Sequence, residues 1–265
     1  MKKLSTQLGL ATICALSVTT FSTSAEAAGL SLRSDLLTTF NQLIQAERVP
    51  FNELALPKLD NSRLFWDGNP NSVQAYFVNE GAGYRNQLLF AANDGPLGMI
   101  FNDVSSTQSI LSEGDGALSL GQGVALQEFF GPTQLSFFLR ANGFNGGQNI
   151  YGSDDYRNST VGNQPVNSDG LTHMIAYNYF DEVAQENYTI IGFEDLWGEL
   201  GASGGKNEGS DRDFNDVVFA IKGLSYRQPP TEPTDVPEPS ALLGLFGLVL
   251  LGGAGLQRQS SQPSS

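Results

Sequence analysis

Apolar and polar positions alternate through the chain in two distinct patterns. In Ser34–Ile44 the apolar residues Leu36, Leu37, Phe40, Leu43 and Ile44 fall at i, i+1, i+4, i+7 and i+8, the spacing of one buried helix face. Ser34 is available as an N-cap and Pro50 lies beyond the end, so this stretch is expected to form one amphipathic helix packed on the main fold. From Leu64 the period changes. Short runs rich in aromatic and β-branched residues recur between Gly/Asn/Asp clusters at Val73–Val78, Gln87–Ala92, Met99–Phe101, Leu135–Leu139, Thr172–Tyr179, Tyr188–Phe193 and Val217–Ile221. At least seven short strands with no helical pattern between them predict an all-β domain, an antiparallel β-sandwich or jelly roll. Gly81–Asn86, Ser112–Gly123 and Ala141–Gly170 contain little apolar sequence and are expected to run over the surface as loops.

Three flanking segments differ from this body. Lys2 and Lys3, an apolar stretch from Leu8 to Phe21 and the small-x-small triplet Ala25-Glu26-Ala27 have the form of a cleavable signal peptide over residues 1–27. Residues 28–63 make the helical segment, and residues 64–227 make the β-domain. Gln228–Pro239 holds five prolines in twelve residues, which predicts a stiff extended linker over 228–240. Ala241–Leu256 is an apolar run of about 16 residues, just short of the ~20 that a spanning helix needs.

Composition narrows the chemistry. The formal charge is −14, with 28 acidic against 14 basic residues, so nucleic acid is not an expected partner. The single cysteine, Cys14, lies in the signal segment, which leaves the exported chain without disulfide or thiol chemistry. Little points to catalysis: there is one histidine, no cysteine in the exported chain and no phosphate-cradling glycine motif. No enzyme is expected, although two carboxylates at a set separation suffice for a glycosidase.

The acidic residues concentrate late in the β-domain. Phe193-Glu194-Asp195-Leu196 closes one expected strand, and Asp211-Arg212-Asp213-Phe214-Asn215-Asp216 leads into the next. If these strands are neighbours, Glu194, Asp195, Asp211, Asp213 and Asp216 gather with Asn215 at one end of a sheet, where like charges repel unless a cation neutralises them. Hard oxygen donors of this kind favour Ca²⁺. An EF-hand is excluded, because its sixth position is Asp216 where glycine is required and its twelfth is Lys222 where glutamate belongs. The alternatives are that Asp213 and Asp216 accept backbone hydrogen bonds in a turn and that Arg212 pairs with Glu194 or Asp195. His173 shares a strand face with Ile175 and Tyr177 and is expected to be a packed, hydrogen-bonded histidine and not a ligand. Asp154 and Asp155 read as solvated loop charge; Phe144, Tyr151 and Tyr156 are candidates for exposed, sugar-stacking aromatics.

Two resemblances follow from these residues. Val236-Pro237-Glu238-Pro239, the apolar run and Arg258 resemble, over residues 236–259, the PEP-CTERM sorting signal of exported proteins in Gram-negative and cyanobacterial cells. The family usually closes with several arginines; here Arg258 stands between two glutamines, and an ordinary single-pass anchor is the alternative. The resemblance implies an exosortase-type processing enzyme as partner, membrane contact through the 241–256 helix, and delivery to the cell surface, outer envelope or extracellular matrix. Phe193–Leu196, the glycine-rich gap and Asp211–Phe219, with Asp169–Tyr177, resemble the domain of unknown function 4114 family over roughly residues 130–222. That resemblance implies a β-rich extracellular domain with a metal-binding end. Together these readings predict a calcium-stabilised surface or matrix protein that binds extracellular polysaccharide or mediates adhesion, with a carboxylate-dependent polysaccharide hydrolase or a purely structural coat component as alternatives.

Overall fold

Runs such as Val217-Val218-Phe219-Ala220-Ile221 are apolar at every position, which suits a strand covered on both faces. The computed structural model shows what covers them. It describes residues 29–44, 48–50, 56–68, 73–111, 116–126, 129 and 131–227. The chain divides into two units after Arg227, and every described residue belongs to the first. The signal peptide, the linker, the sorting signal and the hydrophobic run expected from the sequence lie outside the described residues. Among the described residues no helix is long and apolar enough to cross a membrane.

The fold is mostly β, with several antiparallel sheets and one short helix. In chain order the elements are β1 (Leu30–Ser31), α1 (Ser34–Asn41), β2 (Lys58–Leu59), β3 (Leu64–Trp66), β4 (Gln74–Asn79), β5 (Asn86–Ala92), β6 (Gly98–Val104), β7 (Gln122–Ala125) and β8 (Thr133–Arg140). They continue with β9 (Ile150–Gly152), β10 (Ser159–Val161), β11 (Gln164–Val166), β12 (Met174–Asp181), β13 (Glu186–Phe193), β14 (Ser203–Gly204), β15 (Asn207–Glu208), β16 (Val217–Lys222) and β17 (Ser225–Tyr226). All seven runs anticipated as strands are strands. One sheet has the order β1-β7-β4-β16-β13-β12-β2; a second runs β10-β11-β9-β8-β3-β17, with β5 pairing β8 and β6 pairing β5. β14 and β15 make a separate hairpin.

The two-residue side-chain period sorts each strand. Phe219 and Ile221 of β16, Ile191 and Phe193 of β13, and Phe77 of β4 point into a core shared with Leu88, Leu135 and Phe137 of the second sheet. The intervening Val218, Ala220, Ile190 and Tyr188 face the other way, into a cluster with Leu36 and Phe40 of α1. Phe40 is fully buried and lies edge-on to Tyr179 and Tyr188, with centroids 5.0 and 5.8 Å away. The helix therefore packs on the fold as its periodicity requires. Its N-cap is Arg33 and not Ser34, without a capping side chain. The segment around it also contributes strands: β1 pairs β7 and β2 pairs β12.

Ala141–Gly170 is not a plain surface loop. It folds into β9, β10 and β11, and Ile150, Tyr156, Val161 and Val166 close over Leu89 and Phe138 on the outer face of the second sheet. Its apolar residues are isolated in sequence and meet only through pairing, with Val166 parallel to Ile150, so a linear pattern does not reveal them. Ser112–Gly123 likewise contributes the start of β7 and a bridge from Ala117 to Ser106.

Phe40→Ala should lower unfolding free energy by about 3–5 kcal/mol, the range for deleting a buried aromatic ring, as measured by urea denaturation.

Candidate metal centre

β13 and β16 pair antiparallel, with Phe193 opposite Val217. That register places the residues after β13 beside those before β16. Gly192 is required here: a Cβ would lie 2.4 Å from the Phe214 carbonyl oxygen, so only glycine lets the Asp211–Asp216 segment cross the strand. Within that segment Arg212 and Phe214 have φ of 55° and 60°, left-handed values that are uncommon for bulky residues. The curl brings Asp211 and Asp213 toward Glu194, while the Arg212 guanidinium lies 5.2 Å over the Phe214 ring.

The six residues anticipated as ligands divide into two groups. Oxygens of Glu194, Asp211 and Asp213 all lie within 4.8 Å of one another, an acidic group, buried at Glu194 and Asp213 and half-buried at Asp211, that could hold a metal ion. Glu194 is fully buried, and neither of its carboxylate oxygens has a hydrogen-bond partner. Ser210, also fully buried, lies beside it, but its Oγ makes no hydrogen bond of ordinary geometry. Asp213 Oδ1 accepts from the Asn215 amide at 2.9 Å and Oδ2 from the Arg48 amide at 2.8 Å. The turn expected as an alternative to metal binding is thus formed, and it fixes Asp213 within the triad. Asn215 Nδ2 donates to the Val49 carbonyl at 3.2 Å, and its buried Oδ1 has no hydrogen-bond partner.

Asp195 and Asp216 stand outside the triad. Asp195 Oδ2 accepts from Asn86 Nδ2 at 2.6 Å, and Asp216 Oδ2 accepts from the Asp195 amide at 2.7 Å. Arg212 donates to the Thr172 carbonyl, and among the described residues it forms no ion pair with Glu194 or Asp195.

Burial governs the electrostatics. It pushes the Glu194 carboxyl above its ordinary range; Ser210 and Arg212 oppose the rise, and Asp195 and Asp211 add to it. Burial also raises Asp195 against the hydrogen bond from Asn86, and raises Asp216 strongly, reinforced by Asp195 and Glu194. Asp213 rises for the same first cause, opposed by the Asn215 amide. Glu80, at the end of β4 and not anticipated from sequence, is pushed from 4.5 to about 8, chiefly by burial, with Asp195 and Asp103 adding.

His173 is packed and hydrogen-bonded, as its strand position predicts. It is fully buried and its ring stacks on Tyr151 at 3.9 Å. The aromatic candidates fare differently. Tyr151 and Tyr156 are buried in the fold, which removes them as exposed platforms, whereas Phe144 is 42% exposed beneath the Arg85 guanidinium at 3.9 Å. Asp154 pairs with Arg157 at 2.6 Å. Missed by sequence reasoning were Asn86, Arg48 and Glu80, which reach the site from distant strands and turns and carry no local motif.

Residues 129–224 match the family described as Domain of unknown function (DUF4114), and residues 235–259 match the PEP-CTERM protein-sorting motif. No curated protein and no solved structure matches the chain. The first match covers every acidic candidate but not β1–β7, so Asn86 and Arg48 complete the site from outside it. The second implies export, association with the cell surface and processing by an exosortase. The chain carries a DUF4114 domain followed by a PEP-CTERM sorting motif.

Proposed function

We propose that this is a surface-held β-sandwich protein that binds calcium through Glu194, Asp211 and Asp213 and engages extracellular polysaccharide in adhesion. The observation that carries the cation reading is Glu194: a fully buried carboxylate with two unpartnered oxygens beside two more carboxylates. Isolating such a charge costs several kcal/mol unless it is protonated or paired, and a divalent cation removes that cost. The donors are hard oxygens, and Ca²⁺ accepts six to eight of them in irregular geometry. Asn215 Oδ1 is a further candidate donor. Asp195 and Asp216, anticipated as ligands, instead form the layer behind the triad in this reading.

Export to the surface, implied by the sorting motif, supplies the setting for polysaccharide, and the Arg85-backed Phe144 ring offers an aromatic face of the kind sugars stack on. A hydrolase is the second reading, favoured by the raised Glu194 carboxyl, which suits a general acid. Its full burial keeps a glycosidic oxygen, carried on a bulky sugar chain, out of reach of the carboxyl, so cation binding is adopted. Binding of the full chain to a glycan array with calcium, lost with chelator, tests the polysaccharide reading; calcium-independent binding, or none, overturns it.

Calcium at about 100 times its Kd should stabilise the fold by about 2.7 kcal/mol, or about 5–10 °C in Tm for this size. Glu194→Gln should abolish that response in differential scanning calorimetry. In chelator at pH 8 the variant should be at least as stable as the parent, because the amide removes the buried charge.

The pH dependence follows from carboxyls raised in the folded state. Between the unfolded carboxylate range near 4 and about 8 for Glu80, the folded chain holds protons that the unfolded chain has released. Stability is therefore greatest at the acidic side of this window and falls as pH rises through it. In chelator, Tm should drop between pH 5 and pH 8; calcium should reduce the drop by neutralising the triad, while the Glu80 share persists.

A further inference from the structure

Glu194 sits one residue beyond β13, yet both of its backbone groups are satisfied by a single residue. Its N–H donates to the His173 carbonyl at 3.0 Å, and its carbonyl oxygen lies 3.0 Å from His173 Nδ1. A carbonyl only accepts, so Nδ1 is the donor. The imidazole is fixed from two further directions. Nε2 lies 2.8 Å from Asp169 Oδ2, and the ring stacks on Tyr151 with an interplanar angle of 12°. The side chains of His173 and Asp169 are 0% and 3% exposed.

Asp169 is held in turn by the fold. Oδ1 accepts from the Leu171 amide at 3.2 Å, and Oδ2 accepts from the Gly198 amide at 3.1 Å as well as facing the imidazole. One carboxylate thus ties together the ring that holds Glu194 and the start of the connection that leads to Asp211. Both imidazole nitrogens are committed, which leaves none for a metal. The Glu194 side chain, by contrast, is free of hydrogen bonds at both oxygens. The His173 contacts fix its backbone and leave both carboxylate oxygens unpaired.

We propose that His173, oriented by Asp169, is the positioning residue of the cation site: it sets the Glu194 backbone so that the carboxylate projects among Asp211 and Asp213. This rests on the cation reading above. Outer partners of this kind matter because a ligand must be held within about 0.5 Å of productive geometry, and their loss typically costs 10–100-fold in metal affinity.

The test is calorimetric calcium titration of the full chain in detergent for the parent, His173→Phe, His173→Gln and Asp169→Asn, with unfolding in chelator recorded separately. His173→Phe keeps a ring against Tyr151 but removes the donor, and its calcium Kd should rise at least about 10-fold. His173→Gln retains an amide donor and should recover part of that loss; Asp169→Asn should weaken binding less than His173→Phe. A histidine with only a packing role would lower stability in chelator and leave Kd unmoved. A cooperatively unfolding His173→Phe that binds calcium within twofold of the parent overturns the proposal; if that variant does not fold, an unchanged Kd in Asp169→Asn does so. Absence of calcium uptake by the parent overturns the cation reading and this proposal with it, whereas parental uptake with unaltered variants overturns only the positioning role.

Discussion

Charge in a medium of low polarizability must be matched or removed, and the end of the β13–β16 pair has to satisfy that rule for Glu194, Asp195, Asp213 and Asp216 together. The chain meets it in two ways. For Asp195, Asp213 and Asp216 it supplies hydrogen bonds: the Asn86 amide, the Arg48 and Asn215 backbone amides, and the Asp195 amide. For Glu194 it supplies none through the side chain. The surrounding architecture, from the Gly192 crossing to the left-handed residues at 212 and 214, is what forces these groups so close. Strain of this sort concentrates where a function over-determines the backbone.

Most of the sheet framework was legible because strands buried on both faces write themselves as unbroken apolar runs. Val217–Ile221 is such a run, and Tyr188–Phe193 is one but for Thr189 and Gly192; their pairing places the acidic motif at one sheet end without further information. The parts that stayed hidden have a common physical cause. β9, β10 and β11 rely on Ile150, Val161 and Val166, single apolar residues separated by glycine and asparagine turns; their burial is created by long-range pairing. Tyr151 and Tyr156 were hidden for the same reason, since a polar stretch gives no sign that its aromatics face inward.

The candidate site was legible as a set but not as an arrangement. Spacing alone gathers five carboxylates and an amide. Which of them stay unpartnered depends on Asn86 and Arg48, more than 100 residues away in sequence from the groups they contact. These contacts also explain why the family match and the folded unit differ in extent. β4 lies between β7 and β16, and β5 pairs with β8, so residues before 129 are interleaved with those after it and the matched segment has no separate core.

The order of strands also sets how the molecule carries force. The chain leaves the described fold at Arg227, immediately after β17, an edge strand of two residues paired only to β3. Tension on a surface tether would reach that short clip first. Behind it stands β16, hydrogen-bonded on one side to β13 and on the other to β4, a strand that cannot be drawn out without breaking both ladders. The acidic segment lies at the far end of this doubly held strand, so a pull at the tail would reach it only after both ladders had given way.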